Sequence, residues 1–167
     1  SLKALRPAPT VAVIGTREPT PFGEGAALRL GKRFAERGFI VVSGLAKGCD
    51  AFAHRGCLEG KGVGVAVLAH GLETVYPAEN RRLAEDLLAC GGCLVSEYPP
   101  GVGAHRSHFV ERDRLQSGLS RGVIVVETDV EGGTMHTVRF AREQGRYLAC
   151  VKHPSSLLGE AKVQGNL

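Results

Sequence analysis

Short runs of β-branched and aliphatic residues alternate along the chain with longer stretches in which apolar residues recur every three or four positions. Val11-Ala12-Val13-Ile14 is the first run and predicts a strand ended by Gly15. Residues 25–37 place Ala27, Leu30, Gly31 and Phe34 on one helical face, and Gly38 stands where a glycine ends a helix. Residues 39–42 predict a second strand, Asp50 caps a helix running to Glu59, and residues 63–68 predict a third strand. A helix over 80–90 turns Leu83, Ala84, Leu87 and Leu88 inward. A strand at 93–95, a short helix at 110–118, a strand at 123–126, a helix at 134–144 and a strand at 147–151 complete the series.

The strands are short, continuous and apolar, as in a sheet covered on both faces. Their alternation with helices predicts a doubly wound, mostly parallel α/β sheet of about six strands with helices on both faces. The 167 residues suit one domain, read as residues 11–153. Residues 1–10 read as an N-terminal linker, and the weakly patterned 154–167 as a C-terminal extension, a surface wrap or a linker stub.

Composition removes several classes. Hydrophobic residues make up 43% and charged residues 23%, which is globular and not disordered. No run of about 18 apolar residues exists, so no membrane helix is expected. Residues 1–10 lack the apolar region of a secretory signal, and five scattered cysteines suit reduced thiols, so a cytoplasmic location is expected. The only methionine is Met135, which makes an excised piece with missing neighbouring domains the expectation.

Glycine is the outlier, with 23 of 167 residues, where the usual share is about 7%. Many fall just after strands, where open α/β sheets bind ligands. Gly15, Thr16 and Arg17, with Thr20 before the helix, bring close backbone, donors and a cation to one loop. Ser43, Gly44, Lys47 and Gly48 repeat the pattern after strand two, leading to Asp50. Gly132, Gly133 and Thr134 open a helix after Glu127 and Glu131, a third phosphate-nest candidate. The plainer alternative is a set of tight βα turns with solvated Arg and Lys.

Other rim residues carry two readings each. Tyr76, beside Pro77, can stack on a base or ribose with Asn80 as a further contact, or pack in a turn with Asn80 as a helix cap. Asp50, Glu97, Asp113 and Glu127 can bond ribose hydroxyls or act in glycosidic cleavage, or serve as structural caps. Arg112 and Arg114 flank Asp113, and His105 and His108 flank Arg106 as phosphate contacts or solvated charge. His54 reads as a helix-face histidine. The net charge of +4 says little as a sum, but several of its cations share this rim.

Sharper motifs are absent. There is no G-x-x-x-x-G-K-[ST] and no G-x-G-x-x-G after strand one, and strand two ends in Val42-Ser43 rather than in a ribose-binding acid. Cys90 and Cys93 have C-x-x-C spacing, but they lead from a helix into a strand and lack a second pair for zinc. No metal, cofactor or catalytic residue is therefore assigned.

The whole set resembles the DNA-processing protein A family, also called Smf. The resemblance rests on residues 11–17 with Thr20, 42–50 with Ala53 and His54, 66–72, Tyr76-Pro77 with Asn80, 96–101, 112–114 running into 117–120, 144–146, and Gly165-Asn166. It covers nearly the whole chain in order. It implies an extended Rossmann-like domain that binds and protects single-stranded DNA, without catalysis, and helps load a recombinase during DNA uptake and natural transformation. It also implies a homodimer and no membrane partner. Carried onto this sequence, it puts Arg17, Lys47 and the loop glycines in an anion pocket at the strand ends, with Arg112 and Arg114 nearby. Asp113 stands where the family usually has asparagine, and Val110 and His153-Pro154 replace a proline and a proline–glycine. Residues 132–137 replace a serine–glycine–serine type run. Gly132-Gly133-Thr134 is also similar to Rossmann-like nucleotide binders, including cytokinin-activating phosphoribohydrolases and molybdenum-cofactor carriers. That similarity implies the alternative of a nucleotide sensor or phosphoribohydrolase-like enzyme using Glu127 and Glu131 on a small nucleotide.

Overall fold

The computed structural model describes residues 8–166, so residues 1–7 of the expected N-terminal linker lie outside the described residues. Strands β1 (Thr10–Ile14), β2 (Ile40–Ser43), β3 (Gly64–Val67), β4 (Cys93–Val95), β5 (Gly122–Val125) and β6 (Tyr147–Cys150) form one sheet. Its order is β4-β3-β2-β1-β5-β6, and every neighbouring pair is parallel. Helices α1 (Pro21–Glu36), α2 (Cys49–Glu59), α3 (Arg81–Ala89), α4 (Arg106–Gly118) and α5 (Thr134–Glu143) connect the strands, and α6 (Ala161–Gln164) follows them. The doubly wound α/β class read from the alternation is thus the observed fold.

The pleat divides the core. Val13 and Val41 pack with Ala27, Ala53 and Cys57 of α1 and α2 on one face. Ala12, Ile14, Val42 and Val125 face the other way, against Ala141 of α5 and Leu115 of α4. Part of the glycine excess serves this packing. A side chain at Gly31 would strike the Ala53 carbonyl, and one at Gly56 the Leu28 carbonyl, so these residues let α1 and α2 cross at backbone distance.

Three helices begin earlier than the hydrophobic pattern predicts, and in α2, which starts at Cys49, Asp50 lies inside the first turn instead of capping it. The first starts at Pro21 rather than at 25, because Thr20 caps it by accepting from Gly23 N at 3.1 Å and Pro21 suits the first turn. Helix α4 starts at Arg106 rather than at 110, with His105 as its cap. The segment after β6 packs back onto the domain. Val163 is fully buried, and the Asn166 amide accepts from Thr128 N at 3.0 Å and donates to Val126 O at 2.8 Å. No described helix is long and apolar enough to cross a membrane.

Candidate functional site

The sheet winds outward from β1 in one direction and from β5 in the other, and the crevice of such a sheet lies where the two halves part. The loops after β1, β2 and β5 open there onto a cavity of about 660 Å³. Gly15, Thr16 and Arg17 line it, as do Gly132, Gly133 and Thr134 at the start of α5. His105, Arg106 and Phe109 of the α4 start, with Tyr76, close the outer side.

The rim is accessible and carries both signs of charge, Arg17 and Arg106 sharing it with the exposed Asp129 and Glu131. Arg17 is exposed, with its guanidinium carbon 5.0 Å from the centre of the Phe109 ring. The Tyr76 ring, half exposed, lies 5.8 Å from the same ring. Thr16 N donates to Glu127 O at 2.7 Å, which fixes the glycine turn to the end of β5. Helix α5 starts without a side-chain cap at the cavity wall.

The floor differs in kind. Asp50, Arg112, Asp113, Gln116 and Thr137 all line the cavity, and all are buried. Arg112 donates to Gly44 O at 2.9 Å and to Val67 O, and its Nε lies 3.3 Å from Asp113 Oδ1. Asp50 Oδ2 accepts from Gly44 N at 3.0 Å. Burial pushes the Asp50 carboxyl above its ordinary range, against the pull of Arg112. Burial likewise pushes Asp113 up to about 7, again opposed by Arg112, with Asp50 adding to the rise.

Several expected site residues are held elsewhere. Thr20 donates its hydroxyl to Glu127 Oε1 at 2.6 Å and its amide to Oε2 at 2.8 Å, which makes it a helix cap bound to a buried acid. Glu127 is 0% exposed and also meets His153 Nε2 at 3.1 Å, so its carboxylate lies under α1 and away from the Gly132–Gly133 turn. Ser43 ties β2 to Val13 O at 2.7 Å. Gly44 packs against Arg112 and Asp50, and Gly48, with φ +73°, packs against the Thr16 and Arg17 carbonyls. Asn80 donates to Leu45 O at 2.9 Å. Lys47 pairs with Glu79 at 2.7 Å on the surface, and Arg114 pairs with Glu97 off the cavity wall.

Sequence reasoning missed Phe109, Gln116 and Thr137. The first two share one face of α4 with Arg112 and Asp113, at helical spacing. Starting that helix at its cap would have put Phe109 on the face.

The fold and the crevice define a class: doubly wound, parallel α/β proteins with an open cavity at the sheet's switch point. The DNA recombination-mediator protein A family model matches residues 1–166, and the chain belongs to this family. It is 42% identical to Protein Smf of Escherichia coli over 144 residues, covering 86% of this chain and 38% of that protein. The chain thus spans well under half of that relative. The crystal structure of DNA processing protein A from Streptococcus pneumoniae superposes with a TM-score of 0.87 at 34% identity, covering 99% of this chain and 56% of that one. The Helicobacter pylori protein of the same name, studied for a single-stranded DNA binding mode, gives 0.86 at 27% identity, covering 98% and 78%.

Proposed function

We propose that this domain binds single-stranded DNA along the crevice, through phosphate contacts on the rim, as part of a longer DNA-processing protein. The observation that carries this reading is the exposed Arg17 guanidinium over Phe109, between the glycine turn after β1 and the uncapped start of α5. A cation and helix-start donors suit phosphate, while the half-exposed Tyr76 ring beside Phe109 suits an unstacked base. The Helicobacter pylori relative supports the choice of ligand. Loading of a recombinase during DNA uptake, a homodimer and a cytoplasmic location complete the reading and rest on family membership.

The alternative enzyme reading keeps Glu131, which is exposed on the cavity wall, but not Glu127, which is fully buried and bonded to Thr20 and His153. The test is binding of a labelled oligothymidine by fluorescence anisotropy across a salt series. Arg17→Ala should weaken binding about tenfold and reduce the salt slope by about one. An unchanged affinity and slope would remove Arg17 from the interface.

A further inference from the structure

We propose that Glu127 and His153 are positioning residues for the Arg17 loop: together they form a buried latch that sets how the rim presents its cation, although neither lines the cavity. This rests on the reading of Arg17 as a rim contact for single-stranded DNA.

Glu127 grips the loop at both ends. Its carbonyl oxygen accepts from Thr16 N at 2.7 Å. Its carboxylate accepts from Thr20 N at 2.8 Å and from the Thr20 hydroxyl at 2.6 Å. Residues 17–19 thus span two anchors on a single residue, and Pro19 removes further backbone freedom. The segment after β6 adds a third hold, where Lys162 Nζ donates to Glu18 O at 2.9 Å. The inner side of the loop has no room to move inward. A side chain at Gly15 would strike Cys49 Sγ, and one at Gly48 the Thr16 and Arg17 carbonyls. The loop is a fixed backbone from which the exposed Arg17 projects.

His153 sets the latch from behind. Its Nδ1 lies 2.9 Å from Val151 O and donates to that carbonyl. Its Nε2 lies 3.1 Å from Glu127 Oε1, the oxygen that also accepts the Thr20 hydroxyl. The two side chains are 1% and 0% exposed, and the imidazole packs on Phe22 in the first turn of α1, with ring centres 5.1 Å apart. A Cβ at Gly23 would overlap the Glu127 carboxyl, so that turn is shaped around the acid.

Stability alone does not account for such a pair. Taking a carboxylate and an imidazole out of water is costly, and apolar side chains of similar volume often fill such a space without loss. What the pair supplies, and apolar packing does not, is direction: hydrogen bonds that hold two particular points of the loop backbone. Binding gains from that order, because a loop fixed beforehand loses little freedom when a phosphate docks on it.

The experiment is a double-mutant cycle on the 167-residue chain. Oligothymidine affinity is read by fluorescence anisotropy, and folding by circular dichroism and urea unfolding. His153→Met removes the donor to Glu127 and should weaken binding about fivefold, whereas His153→Gln, which offers an amide donor to the same carboxylate, should stay within about twofold of the parent. Both variants are uncharged at this position, so their difference reports the donor and not the net charge. In an Arg17→Ala chain, His153→Met should cost less than about twofold more, because the group it positions is already gone. A merely structural role predicts the same loss in both backgrounds. Equal losses in both, or none in the parent, overturn the latch, while the loss on Arg17→Ala leaves the rim reading standing. An Arg17→Ala chain that binds like the parent overturns the rim reading and the latch with it. Should His153→Met fail to fold, Thr20→Val, which removes the hydroxyl bond to Glu127, takes its place in the cycle and is decided by the same outcomes.

Discussion

The loop after β2 and the first turns of α4 carry similar chemistry, yet the structure uses them in opposite ways. In the first, Ser43, Gly44, Asp50 and nearby Asn80 are tied to Val13 O, Arg112 and Leu45 O, and Lys47 is paired with Glu79. In the second, His105, Arg106 and Phe109 face the cavity, and Phe109 supports Arg17. A polar residue at the end of a strand must often satisfy the backbone of the turn that holds it, and only what remains is free for a ligand. Proximity to the strand ends therefore marks the neighbourhood of a site rather than its members.

The sharpest way to test that division is to remove the cation that serves the interior. Arg112 holds Gly44 O and Val67 O and faces two buried carboxylates, Asp50 and Asp113. Taking one partner out of a buried charge cluster leaves the others uncompensated, which typically costs about 3–5 kcal/mol. Arg112→Met should lower the stability of the domain by that amount in urea unfolding. A loss below about 1 kcal/mol would mean that Arg112 is a ligand contact rather than a structural charge.

This is also where the sequence could and could not be read. The strand–helix alternation was legible because buried parallel strands leave unbroken apolar runs, as in Val11–Ile14, and each helix leaves a stripe such as Leu83, Ala84 and Leu87, although Leu88, read as part of that inward stripe, is 48% exposed. The crevice was legible through the order of the loops. Which side chains line it was less so, because burial of Glu127 depends on Thr20 and on His153, 107 and 26 residues away in the chain. Phe109 was hidden for a local reason: its helix begins at an unusual histidine cap, so the apolar pattern alone starts that helix too late.

A smaller effect separates the floor from the rim by pH. The folded pKa of Asp113 lies near 7, raised by burial, whereas the unfolded value is about 3.9. The folded state thus holds more protons than the unfolded one in this window, so the stability from this group falls as pH rises toward 7 and is flat above it. Asp50 shifts in the same direction, and His54, pushed by burial down to about 4, works in the opposite direction below its ordinary range. The difference between Asp113→Asn and the parent chain reports Asp113 together with its coupling to Asp50. Urea unfolding at pH 5.5 and 8 should show the variant gaining about 2 kcal/mol on the parent across that interval. A constant difference would place the Asp113 titration outside the window.

The smallest effect is the one that discriminates best between the two loops. Lys47 is the cation that sequence reasoning ranked beside Arg17, and the structure sets it in a surface pair with Glu79, off the cavity wall. Exposed pairs of this kind contribute about 0–1 kcal/mol, so Lys47→Ala should leave unfolding almost unchanged. Loss of one distant positive charge lowers the general attraction for a polyanion, but it removes no phosphate contact. Lys47→Ala should therefore weaken oligothymidine binding by less than about twofold, against the tenfold loss expected for Arg17→Ala. Equal losses at both positions would mean that the bound strand runs across the β2 loop as well, breaking its Lys47–Glu79 pair, and the interface would extend beyond the crevice on that side.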